Sequence, residues 1–102
     1  MIALVNDKRF AVADLCRRLG VRRLCLFGSG ADGRFSAERS DLDFLVDFDD
    51  LPPADYSDRY FELADALERL FGRRVDLVTG RSIRNPYFRQ TVEAGREILY
   101  ER

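Results

Sequence analysis

Residues Gly28 to Val46, GSGADGRFSAERSDLDFLV, decide how the chain is read. Gly28 and Ser29 stop the apolar run Val21–Phe27, which reads as a strand covered on both faces because Leu24, Cys25, Leu26 and Phe27 are all apolar. After a polar segment, residues 41–48 read as a second strand with alternating faces. Asp41, Asp43 and Leu45 fall on one side, and Leu42, Phe44 and Val46 on the other. One face enters a core and the other carries acids. Asp47 lies four residues past Asp43, roughly 13 Å along a strand, so with Asp49 and Asp50 it reads as a solvated strand end. Glycine lets a backbone approach a phosphate closely, while exposed N–H groups and a serine hydroxyl can hold phosphate oxygens. Gly-Ser alone is a turn and Asp-x-Asp alone recurs by chance, so the meaning rests on their order and on a third acid in a later strand.

The flanking sequence supplies the scaffold. Asn6 or Asp7 is expected to cap a helix running to about Leu19, with Val12, Leu15, Cys16 and Leu19 on one face and Gly20 ending it. Leu51-Pro52-Pro53 is a break, and Asp55 or Ser57 is expected to open the next helix. Its apolar stripe is Tyr56, Tyr60, Leu63, Ala64, Leu67, Leu70 and Phe71, a core face by its spacing. Gly72 closes it. Residues 73–79, RRVDLVT, read as a third strand interrupted by Asp76. Asn85-Pro86 is a cap followed by proline at the first helical position, opening a helix through Ala94, and residues 97–100 add a short edge strand. The order predicts an α/β (α+β) fold: a small mixed β-sheet of three to four strands flanked by helices, in a single domain over residues 1–102.

Composition narrows the chemistry. The chain has 102 residues, 46% of them apolar and 34% charged, as in ordinary globular proteins. No apolar run reaches the roughly 18 residues of a membrane span, and MIALVNDKRF meets charge too soon for a signal peptide, so a cytoplasmic protein is expected. Histidine is absent, which excludes His-based nucleophile activation and His-ligated zinc within this chain. Cys16 and Cys25 sit among apolar residues and read as buried, reduced thiols. The net charge of -1 lacks the basic surplus of a nucleic-acid binder, which disfavours direct nucleic-acid binding. The arginines at 17, 18, 22, 23, 73, 74, 81 and 84 read as solvated helix ends and strand starts.

The remaining chemistry belongs to carboxylates. Asp41 and Asp43 project together from one strand face, and Asp76 can approach from a neighbouring strand. Such a cluster repels itself unless cations fill it. Magnesium suits it, as a hard ion that takes carboxylate and phosphate oxygens. Two ions about 3.5 to 4 Å apart can clamp the attacking and leaving oxygens of an in-line phosphoryl displacement. Asp41, Asp43 and Asp76 are then the expected metal ligands and catalytic acids, with Asp76 placed to deprotonate or orient the acceptor hydroxyl.

LFGSGADGRFSAERSDLDFLVDF, followed after a helix by VDLVT, resembles the polymerase-β-like nucleotidyltransferases, and among them the stand-alone minimal nucleotidyltransferases (MNT) of HEPN/MNT toxin-antitoxin pairs. Gly28, Ser29, Gly33, Ser40, Asp41, Asp43 and Asp76 match the motif positions, and the element order agrees over nearly the whole chain. The resemblance implies a polymerase-β-like fold, with Gly28, Ser29, Gly33 and Ser40 binding the nucleotide. It implies magnesium-dependent transfer of AMP from ATP to a hydroxyl, a tyrosine of a HEPN toxin, so that the chain acts as antitoxin. The alternative is a catalytically weak nucleotide-binding module that neutralises its HEPN partner by contact. Antibiotic nucleotidyl transfer fits less well, because no additional acceptor-binding domain is present. Gly30 and Asp32 stand where many relatives carry arginine at one or both positions, which weakens the grip on a triphosphate unless Arg34 or Arg39 compensates. One catalytic cleft in so short a chain implies a second wall from a HEPN partner or a homodimer.

Overall fold

A strand with an apolar face and an acid-bearing face must be covered by helix without burying the acids, and the architecture meets that demand. The computed structural model describes residues 3–28 and 41–102. Its elements are α1 (Ala3–Asn6), α2 (Arg9–Leu19), β1 (Val21–Phe27), β2 (Leu42–Phe48), α3 (Pro53–Phe71), β3 (Val75–Thr79), a 3₁₀ turn (Gly80–Ser82), α4 (Pro86–Gly95) and β4 (Glu97–Glu101). The strands form one mixed sheet in the order β3-β2-β1-β4. β1 runs antiparallel to both neighbours, while β2 and β3 are parallel. This is the expected mixed sheet, with four strands. No described helix is long and apolar enough to cross a membrane.

The two sheet faces have separate cores. Leu42, Phe44 and Val46 pack with Val12, Leu15, Cys16 and Leu19 of α2 and Leu63, Leu67 and Phe71 of α3. On the other face Cys25, Phe27 and Leu45 meet Val92 of α4 and Ile83 of the segment that precedes it. Asp43, at the N-terminal end of β2, is half-buried. Both cysteines are free and buried, and burial pushes the Cys16 thiol up to about 12.

Several boundaries differ from the sequence reading. The first helix is broken: Asp7 N–H donates to Ala3 O and Lys8 N–H to Val5 O, so Asn6 and Asp7 belong to a first turn that buries Val5. Lys8 then precedes α2, with no side-chain cap. Gly20 ends α2 as expected, at φ 71° with its N–H on Cys16 O. α3 starts at Pro53, because proline at the first position loses no helical hydrogen bond. β2 and β3 start at Leu42 and Val75, later than 41 and 73, and the 3₁₀ turn was not foreseen. The Tyr60 hydroxyl of α3 donates to Leu77 O at 2.6 Å, tying β3 to the helix layer.

Asn85 caps α4 as expected, its side chain accepting from Tyr87 N at 2.9 Å and Phe88 N at 3.3 Å. Asn85→Ala is expected to lower unfolding stability by about 1 kcal/mol in urea denaturation, and Asn85→Ser to restore most of it.

Candidate active site

The site starts from the β2–β3 pairing. Parallel register sets Asp43 directly opposite Asp76 and Leu42 opposite Val75, on strands about 4.8 Å apart. Asp41 stands one residue before β2, on the same face as Asp43 by alternation. The chain therefore brings together the three carboxylates singled out by sequence. Asp43 is half-buried and Asp76 exposed. On its other side Asp43 pairs with Phe27, whose ring meets Phe88 of α4 edge-on at 6.4 Å.

Gly28 follows Phe27 and has φ 70°. A Cβ there would lie 2.5 Å from Asp43 Oδ2, so the missing side chain is the space in which that carboxylate sits. Sequence reasoning assigned Gly28 to phosphate approach; the structure adds a steric reason within the protein. Burial pushes the Asp43 carboxyl above its ordinary value, and the charges of Asp76 and then Asp41 push it the same way. Ser29, Gly33 and Ser40 lie outside the described residues, as do Gly30, Asp32, Arg34 and Arg39.

The donor set suits a hard divalent cation. Three carboxylates share a face, and the missing side chain of Gly28 leaves the space that Asp43 Oδ2 occupies. Among the described residues no group of three or more ligating side chains is already drawn into a cage. Asp47 takes a different role from the solvated strand end expected of it. It accepts from Arg23 Nη2 at 2.9 Å and Nε at 3.3 Å, and a Cβ on Gly80 would meet its Oδ1 at 2.7 Å. Arg23 is thus an ion-pair partner inside the fold rather than a solvated strand start. The pair lines a hollow of about 410 Å³ with Arg22, Phe48, Glu101 and Arg102, at the end of β2 remote from Asp43. Its charges answer one another, so it competes poorly with the acids as a reaction centre.

The folded protein holds the Asp43 proton more tightly than the unfolded chain. Stability therefore falls as pH rises from about 3.8 through the raised value and stays reduced above it. In EDTA at pH 7, Asp43→Asn is expected to melt above the parent, the difference closing as pH falls below about 3.8; equal melting at pH 7 would contradict the repulsion. Gly28→Ala is expected to cost at least about 1–2 kcal/mol from its backbone conformation alone. In a cycle with Asp43→Ala, part of the excess should disappear, and strict additivity would show that the two residues do not compete for space.

Comparison with known proteins agrees with this geometry. The profile of the nucleotidyltransferase domain matches residues 11–99. The protein adenylyltransferase MntA of Thermococcus cleftensis is 38% identical over 87 residues, covering 85% of this chain and 81% of that one. A solved structure provisionally described as a minimal nucleotidyltransferase superposes with a TM-score of 0.73 at 37% identity, over 94% of this chain and 95% of that one. A toxin-antitoxin crystal structure with AMP-PNP gives a TM-score of 0.68 at 28% identity, over 95% and 74% of the two chains. With three acids on one face of a parallel strand pair and these likenesses across nearly its whole length, the chain belongs to the nucleotidyltransferase domain family.

Proposed function

We propose that this chain is a magnesium-dependent protein adenylyltransferase. It transfers AMP from ATP to a tyrosine hydroxyl of a HEPN toxin and thereby acts as an antitoxin in the cytoplasm. The observation that carries the reading is the placement of Asp41, Asp43 and Asp76 on one face of β2–β3 under the gap left by Gly28. The similarity to MntA supports adenylyl transfer, and the similarity to a toxin-antitoxin structure with AMP-PNP supports the nucleotide and the setting.

Asp41, Asp43 and Asp76 would hold the cations, two being expected for a shared carboxylate set. When bound, magnesium supplies charge neutralisation of the triphosphate and of the oxygens entering and leaving phosphorus. Asp43, half-buried and fixed between Phe27 and Asp76, is the rigid member of the set. Asp76, exposed on an edge strand, is reachable by an incoming hydroxyl and would accept its proton. The acceptor oxygen forms a bond to the α-phosphorus as the bond to the bridging oxygen of the β-phosphate breaks. AMP stays on the acceptor and pyrophosphate leaves. Gly28 holds the turn open, and Ser29, Gly33 and Ser40 are the residues proposed to bind the nucleotide. The partner protein, or a second copy of this chain, would supply the opposite wall.

Intact-mass measurement of a HEPN partner after incubation with ATP and magnesium tests the reading. The parent is expected to add AMP in proportion to time, and Asp43→Asn to reduce the rate at least about 100-fold while remaining folded. Undiminished transfer by that variant would sink the site assignment. If the Asp41→Asn, Asp43→Asn double variant binds the partner and still suppresses toxicity, neutralisation is by contact and the catalytic antitoxin role is wrong.

A further inference from the structure

One cation stands beside the three carboxylates. Arg74 immediately precedes β3, and the register that pairs Leu42 with Val75 and Asp43 with Asp76 sets it beside Asp41 one step earlier. Two contacts agree with that placement. Leu42 N–H donates to Arg74 O at 3.2 Å, and Arg74 Nη1 lies 4.0 Å from Asp41 Oδ2. The four side chains occupy the corners of a quadrilateral on one sheet face: Asp41 and Asp43 along β2, Arg74 and Asp76 along β3. Three corners are anions and one is a cation.

The pair is loose. Arg74 is 80% exposed and Asp41 46%, and 4.0 Å is too long for a direct hydrogen bond. Such a contact contributes little to stability, so it does not explain why a cation stands at this corner. Its position relative to an anionic substrate does. A guanidinium on a long stem can leave one carboxylate for a phosphate a few ångströms away, and its planar fork matches phosphate oxygens in two parallel hydrogen bonds.

We propose that Arg74 is a nucleotide-binding residue of this site that rests on Asp41 while no cation is bound. Asp41 exchanges its Arg74 partner for the metal, and the freed guanidinium takes an anionic oxygen of the nucleotide's polyphosphate. One charge thus serves twice, easing carboxylate repulsion in the empty site and gripping substrate in the filled one. The assignment rests on the metal-dependent reading of the site.

The experiment is a pair of titrations on the full chain. Calorimetric titration with magnesium alone, without nucleotide, is expected to show Arg74→Gln binding roughly 3-fold more tightly than the parent, because a competing and repelling cation is gone. At saturating magnesium, the same variant is expected to need roughly 10-fold more ATP for half-maximal transfer, with Arg74→Lys recovering part of the loss. A residue serving only as an ion-pair partner of Asp41 would leave the ATP requirement unchanged. Magnesium affinity equal to or weaker than the parent's, or an unchanged ATP requirement, overturns the proposal. A parent protein that neither binds magnesium nor transfers AMP instead fails the reading on which the proposal rests.

Discussion

The structure turns on a carboxylate held where it is electrostatically unwelcome. Asp43 is half-buried, opposite Asp76 and two residues from Asp41, and all three circumstances disfavour its charge. It remains there because its neighbours leave no other arrangement. β2 is paired on both sides, Phe44 and Leu42 anchor it in the larger core, and Gly28 leaves the volume that a side chain would fill. Strain of this kind is ordinary at a reaction centre, where a cation converts the repulsion into affinity. The α2 and α3 layer on the far face gives the rigidity that such an arrangement needs. On the near face α4 packs against β1 and β2, and Asp41 and Asp76 are exposed.

Much of this was legible because β2 obeys the simplest rule in protein structure. Alternation from Asp41 to Val46 puts Leu42, Phe44 and Val46 in the larger core without any tertiary information, as the structure has it, but the acid-bearing face also enters a core of its own through Leu45. The third acid was readable only because a strand-like run carried an aspartate between Val75 and Leu77. Side-chain pairings across the sheet were not readable. Asp47 and Arg23 are 24 residues apart and become neighbours only through antiparallel register, so a local reading assigned both to solvent. The same reading is right for Arg17 and Arg18, whose contacts with Asp14 are local and exposed. The start of the first helix was misjudged because Asn6 and Asp7 have the chemistry of caps, while the demand to bury Val5 drew them into a turn of their own.

Charge is sorted along β2 rather than spread over it. At one end Asp41, Asp43 and Asp76 share a face, with Arg74 Nη1 4.0 Å from Asp41 Oδ2. At the other, Asp47 is matched to Arg23, and Asp49 accepts from Arg102 at 2.6 Å. The matched end is therefore structural, joining β2 to β1 and to the end of β4. Substitutions there should act through stability, whereas those at the unmatched end should act through binding.

The bond from Tyr60 to the carbonyl of Leu77 has a consequence for assembly. β3 is an edge strand, and an unpaired edge is a template onto which another chain can add a strand. One of its acceptors, next in sequence to Asp76, is already used by a side chain of the protein's own helix layer. Strand addition along that edge would have to break the bond and would crowd the acid beside it. Sheet-to-sheet polymerisation is thus discouraged at the edge that carries Asp76.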